Sequence, residues 1–219
     1  MTDREHLEQL LLPDRLERFR EVLAGRTSSV TAVLENLHKD HNISAVLRTC
    51  ESFGIQRVHV VPQPGHGRVF DTVTRGCDRW LTIQRHPDVT SCLMRLRADG
   101  FRILAGALEE RAEPLESVDF SGRIALIFSN ELQGASREAL DMVDGCFVIP
   151  MAGFSQSLNV SVAAGIAIHR VMQYKRSVGE ELEPVPPEEA ALLMDLWVKK
   201  SVRNAGRILK ELKIRGSRE

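Results

Sequence analysis

The chain has 219 residues, of which 43% are apolar, 27% charged and 5% aromatic, with a formal net charge of −1. That length and composition suit one globular domain with modest appendages and a core that needs no disulfides. The longest apolar runs, such as Ile124 to Phe128, are far shorter than the roughly 20 residues of a membrane-spanning helix, which excludes that class, and the balanced charge carries no overall nucleic-acid signature.

In chain order, residues 1–29 read as a helical arm, with Leu7, Leu10, Leu11, Leu16, Phe19, Val22 and Leu23 at roughly helical intervals around a break at Pro13. Its start, MTDREHLEQLLLPDR, is repeatedly charged, and its apolar cluster is too short for a secretory signal. Residues 30–176 alternate β-branched runs with amphipathic stretches. Strands are predicted at Thr31 to Leu37, Arg57 to Val61, Ile103 to Leu108, Ile124 to Phe128 and Cys146 to Ile149. Helices are predicted at Ile43 to Ser52, Ser91 to Asp99, Arg137 to Val143 and Leu158 to Lys175. This alternation predicts an α/β fold, a mainly parallel sheet with helices on both faces. Residues 177–219 form an acidic hinge and a basic helix over 187–215. Glu180 to Glu189 holds five glutamates and no base, while Lys199 to Glu219 holds eight basic residues against two acidic ones. Such a tail suits phosphate binding, or equally a solvated surface helix.

Cys50, Cys77, Cys92 and Cys146 lie far apart without a C-x-x-C pair, which points to a reduced, cytoplasmic chain without a zinc site. His38 and His41 have no third ligand nearby, so no metal is expected. His169, well along a predicted helix, reads as structural.

Ligands of parallel sheets collect beyond the carboxyl ends of strands, which singles out three loops. In Glu35 to Gly54, Asn42 stands at an N-cap position and Gly54 at the stop. At 100° per residue from Ile43, Leu47 falls at about 40° and Arg48 at about 140°, so Arg48 leaves the buried stripe and shares a face with Ser44. In Ile124 to Ser136 a buried strand runs into Ser129, Asn130 and Glu131. A carboxylate there is costly unless a polar or cationic group meets it, which marks Glu131. In Cys146 to Val171 the linker MAGFSQS leads into a helix whose first turns carry Ser157, Asn159 and Ser161, then the small residues Ala163, Ala164 and Gly165. Small residues permit close approach, and the polar groups serve either a ligand or the cap.

These segments together resemble the signature set of the SpoU (TrmH) family of RNA ribose 2′-O-methyltransferases, in the SPOUT superfamily. The matching residues are Asn36, Asn42 and Arg48; Asn130, Glu131, Gly134 and Ser136; and the run from Ile149 to Ser161. The resemblance covers residues from about 30 to 176. It implies a cytoplasmic homodimer with a deep trefoil knot, using S-adenosylmethionine to methylate a ribose in tRNA, guanosine 18 of the D-loop above all. Arg48 matches the catalytic arginine and Asn42 the residue that arranges it, while Glu131, Ser157 and Asn159 match polar residues of the active site. Gly106, Ser129, Ile149 and Leu158 match positions that enclose the methyl donor. Ser129 stands where relatives have glycine and Gly106 where they have threonine, so a positive φ at Ser129 or a hydroxyl in the donor space would weaken binding. The alternatives are methylation of ribosomal RNA or of another tRNA position, and, from another class, a non-catalytic RNA-binding protein on the same fold.

Overall fold

A computed structural model describes residues 2–62, 79–130 and 133–216, with side chains to residue 212. Along the chain run α1 (Asp3–Glu8), α2 (Pro13–Ala24), β1 (Val30–Glu35), α3 (Asp40–Ser52), β2 (Arg57–Val61), β3 (Thr82–Arg85), α4 (Val89–Ala98) and β4 (Arg102–Gly106). They are followed by β5 (Ala112–Pro114), β6 (Ile124–Ser129), α5 (Arg137–Met142), β7 (Gly145–Val148), α6 (Val160–Ser177), α7 (Pro187–Ser201) and α8 (Ala205–Gly216). The chain divides into two compact units, Thr27–Glu183 and a second made of Met1–Arg26 with Pro184–Glu219.

In Thr27–Glu183 the described strands form one parallel sheet in the order β3-β2-β1-β6-β4-β7-β5. Both β6 and β7 slot between strands laid down earlier in the chain. The central strands β1 and β6 are buried at every residue, as a sheet covered on both faces requires. Leu34, Leu126 and Phe147 pack with Ile43 and Leu47 of α3 and with Ala164 and Ile168 of α6 on one face. Val33, Ile127 and Cys146 pack with Leu93 of α4 and Ala139 of α5 on the other. Each fully buried Leu or Ile contributes about 1.5–3 kcal/mol. Among the described residues no helix is long and apolar enough to cross a membrane.

Several boundaries differ from the predicted ones. The edge strands β3 and β5, TIQR and AEP, carry no apolar pattern to announce them. β1 stops at Glu35 because Asn36 turns left-handed, at φ 53°. α3 begins at Asp40 with Lys39 at its N-cap, so Asn42 lies inside the first turn and is not the cap. Its far end behaves as expected. Gly54, at φ 80°, donates its N–H to Glu51, and Ile55 donates to Cys50, a Schellman stop that glycine permits. On α6, Ala164 and Ala167 are fully buried, but a Cβ on Gly165 would meet nothing within 4 Å, so close approach does not require that glycine. His169 lies edge-on to Phe53, with ring centroids 5.9 Å apart.

In the second unit, α1 and α2 pack on α7, and α8 follows it. Phe19 meets the buried Trp197 edge-on at 6.0 Å, and the Arg26 guanidinium lies 5.7 Å from the Trp197 ring centre. Pro13 opens α2 at its first turn, where its missing N–H costs nothing. The expected single helix over 187–215 is two, broken where Asn204 adopts φ 60°. Lys199, Lys200, Arg203, Arg207 and Lys210 are all exposed. Lys213, Arg215 and Arg218 have side chains outside the described residues.

Candidate active site

A cavity of about 390 Å³ opens over the carboxyl ends of β4, β6 and β7, closed on its far side by the linker after β7 and the start of α6. Gly106, Ser129, Ile149, Ser157 and Leu158, which come from three separate stretches of chain, all line it. The parallel sheet brings them together because its inserted strands end side by side. The lining mixes apolar groups (Phe128, Phe147, Val160) with the amides of Asn130, Gln133 and Gln156, a composition suited to a partly polar small molecule.

The floor beneath Ser129 is polar and buried. Ser129 and Glu35 are register partners on β6 and β1. The Ser129 hydroxyl donates to Glu35 Oε2 at 2.8 Å, the Ser136 hydroxyl to Glu35 Oε1 at 2.5 Å, and the Ser136 N–H to Oε2 at 3.3 Å. Ser136 also caps α5, accepting from the Ala139 N–H at 3.2 Å. Glu35 is only 1% exposed. It is therefore a costly carboxylate at the end of a buried strand met by donors, the arrangement expected of Glu131. The signal was present, because VTAVLE is an apolar strand closed by a glutamate. Glu131 itself lies outside the described residues, as does Cys77. Ser129 is not among the residues with positive φ, so its side chain imposes no backbone strain.

Gly106 sits opposite Phe147 across β4 and β7. A Cβ there would come within 3.2 Å of Phe147 Cζ, so the phenylalanine ring occupies the space that a larger residue at 106 would take.

Asn42 of α3 and Asn159, at the start of α6, meet directly. Asn42 is 1% exposed, and its Oδ1 accepts from Asn159 Nδ2 at 3.0 Å. Asn159 in turn caps α6, its Oδ1 accepting from the Ser161 N–H at 3.0 Å. The bond ties the first predicted loop to the third. Asn130 Nδ2 donates to the carbonyl of Asn36 at 3.3 Å, tying the second to the first. Arg48 lies six residues beyond Asn42 on α3, exposed as the helical phase required. It makes no ion pair or hydrogen bond among the described residues and does not line the cavity of its own chain.

A parallel sheet with a ligand-sized cavity at its strands' carboxyl ends is that of an α/β protein taking a small molecule beside the switch in strand order. Residues 29–169 match the SpoU rRNA Methylase family, and the chain belongs to it. It is 37% identical over 187 residues to the tRNA (guanosine(18)-2'-O)-methyltransferase of Thermus thermophilus, covering 85% of this chain and 96% of that one. The crystal structure of the A. aeolicus TrmH/SpoU tRNA modifying enzyme superposes with a TM-score of 0.77 at 31% identity, over 87% of this chain and 98% of that one. An AdoMet-bound rRNA methyltransferase from Sinorhizobium meliloti shares the fold at TM-score 0.60 and 21% identity, over 73% and 60% of the two chains.

Proposed function

We propose that this protein transfers a methyl group from S-adenosylmethionine to the 2′-hydroxyl of guanosine 18 in tRNA. The observation that carries the reading is the convergence of Gly106, Ser129, Ile149, Ser157 and Leu158 on one cavity. The family membership and the named relatives support the substrate. The cavity fits the methyl donor in three respects. Its volume lies within the usual range for small-molecule sites, about 300–1,000 Å³, its walls combine apolar and amide groups, and Gly106 projects no side chain into it. Gly106, Ser129, Ile149 and Leu158 would hold the donor. When bound, it supplies an electrophilic methyl carbon on a sulfonium.

The chain's own residues do the rest. Asn42 and Asn159 lock the start of α6 to α3, which fixes the Ser157–Leu158 edge of the cavity. Arg48 clamps a phosphate of the RNA and stabilises the negative charge developing on the ribose oxygen. A guanidinium holds its proton in nearly all settings and is a poor proton acceptor, so the proton goes to phosphate oxygen or water. Glu131 and Ser157 complete the polar surround of the ribose.

The active assembly is a homodimer in the cytoplasm. Met151, Phe154, Val162 and Ile166 leave apolar surface exposed on the linker and α6, which a second copy seated there would cover. Residues 30–176 form the methyltransferase domain with its trefoil knot, a reading supported by the insertion of β6 and β7 between earlier strands. The arm of residues 1–29 and the hinge and basic helices of 177–219 serve tRNA binding, without membrane or metal in the transfer itself. Incubation with labelled donor and total tRNA, followed by mass-spectrometric mapping, tests the reading. A 2′-O-methylguanosine at position 18 is expected. Label only at another tRNA position, or no transfer with donor bound, overturns it.

A further inference from the structure

On the other side of β1 from the inserted strands, His59 of β2, His86 just after β3 and Cys92 of α4 meet. The Nδ1 of His59 lies 2.9 Å from Nε2 of His86, with the rings stacked at 5.1 Å. One ligand atom from each of the three residues falls within a sphere in which all pairs are within 4.8 Å. His59 and Cys92 are buried and His86 is half-buried. None of the three lines the methyl-donor cavity, and methyl transfer gives them no task.

We propose that His59, His86 and Cys92 form a zinc site that clamps β2, β3 and α4 together, with water on the fourth position. Two imidazoles and a thiolate are a borderline-soft donor set that suits Zn²⁺ in tetrahedral geometry. On a zinc ion with bonds of about 2.0–2.1 Å to nitrogen and about 2.3 Å to sulfur, the two nitrogens stand about 3.3 Å apart and each about 3.6 Å from the sulfur. The nitrogens therefore open by a few tenths of an ångström and the thiol closes by about 1 Å at most, within the reach of side-chain rotation. The strand and helix backbones already hold the three side chains in place, so little ordering entropy opposes binding. His86, half-buried, provides the way in.

The bonding changes balance without oxidant or reductant. In the metal-free protein one ring donates an N–H to the other. On binding, that ring carries its proton on its other nitrogen instead, and both facing lone pairs go to zinc. Cys92 gives up its thiol proton to solvent as the sulfur–zinc bond forms. Burial, buried Glu35 and Asp88, at the start of α4, all hold the proton on the Cys92 sulfur in the metal-free chain, so zinc must displace it, and the same two carboxylates favour the cation that does so. Arg57 and Arg95 act on His59 in the opposite sense, and Arg95 is paired with Asp99 at 2.9 Å.

The test uses the full chain, stripped of metal by a chelator and titrated with Zn²⁺ in competition with a chromophoric chelator, and separately with Co²⁺ read by absorption. The expected results are one zinc per chain, a thiolate-to-cobalt band with the intense visible bands of four-coordinate cobalt, and a thermal midpoint raised by zinc. Cys92→Ser abolishes the thiolate band, while Cys50→Ser, on the opposite face of the sheet, keeps it. His86→Gln, at the half-buried rim, folds even where a core variant does not. It weakens zinc by more than the about 10–100-fold that removing a hydrogen-bond partner of a ligand costs, and zinc no longer raises its midpoint. Zinc bound no more tightly by the parent chain than by His86→Gln, or a cobalt thiolate band unchanged by Cys92→Ser, overturns the proposal and leaves His59 and His86 as a hydrogen-bonded pair.

Discussion

Replacing Glu35 by glutamine changes no volume but removes the charge beneath Ser129. In the parent chain the carboxylate collects two serine hydroxyls and one N–H in a site 1% exposed. Hydrogen bonds to a charged group contribute about 1.5–3 kcal/mol and neutral ones about 0.5–1.5, so two hydroxyl bonds that become neutral lose about 2–3 kcal/mol together. Relief of carboxylate desolvation offsets part of this, leaving a net loss of about 1–2 kcal/mol. The glutamine NH₂ takes the Oε1 position, because at Oε2 it would face the Ser136 N–H, and so forces the Ser136 hydroxyl to reverse. Urea unfolding is the assay, and a lower midpoint at unchanged slope is expected. Calorimetric titration with S-adenosylmethionine should show weaker binding in parallel, because Ser129 borders the cavity. A variant with the parent's midpoint and the parent's donor affinity would refute the claim that Glu35 holds the cavity floor.

Other expectations follow from the same geometry. Gly106→Thr pushes a side chain against Phe147, whose ring already stands 3.2 Å from a Cβ at 106; overpacking costs about 1–3 kcal/mol, and donor affinity measured by calorimetry falls, whereas Gly106→Thr with Phe147→Leu recovers part of it. Arg48→Lys nearly abolishes turnover while leaving donor binding intact, because lysine cannot make the two-pronged contact to phosphate; lysine activity rising steeply with pH would instead make residue 48 the proton acceptor. The Tyr174 hydroxyl and the Ser121 backbone hold the Asp119 carboxyl down to about 2, and the same bond raises Tyr174. Asp119 therefore contributes stability that is present above the ordinary carboxylate value and lost as pH falls through about 2. An NMR titration of Tyr174→Phe should move the Asp119 midpoint up toward 3.8, and an unmoved midpoint would exclude the bond. Changing Lys199, Lys200, Arg203, Arg207 and Lys210 to glutamine flattens the salt dependence of tRNA affinity by about 0.7–0.9 in log-log slope for each phosphate no longer neutralised, and an unchanged slope removes these helices from recognition.

The sheet was legible where burial is two-sided. Ile124 to Phe128 and Arg57 to Val61 announce themselves as apolar runs, and both strands stand within a residue of their predicted ends. The edges were not, because TIQR and AEP are held mainly by backbone pairing to a neighbour, with Ile83, Ala112 and the Thr82 hydroxyl adding side-chain contacts. Strand order was equally hidden, since nothing in the residues of β6 or β7 states that they enter between older strands. In the site, Asn159 could be placed at a helix start from its neighbours, but its bond to Asn42 spans 117 residues. Glu35 and Glu131 both follow an apolar strand, so the same physical argument applies to each, and the residues alone do not say that the serine donors gather around Glu35. The His59–His86–Cys92 cluster was invisible because its members are 27 and 6 residues apart, a spacing set by a strand crossover and not by any local motif.

The late insertion of β6 and β7 has a consequence for how the protein is made. While the ribosome has delivered only the chain up to about β5, the cavity does not exist in any form, since two of its three walls belong to segments not yet synthesised. Closing it then requires pairings such as Val30 with Ile124, separated by nearly a hundred residues, and non-local pairing of this kind is slow. The cavity thus closes only after β7 and the start of α6 have been made, and a nascent chain stalled before β7 lacks both the cavity and the core residues that α6 lays on one face of the sheet.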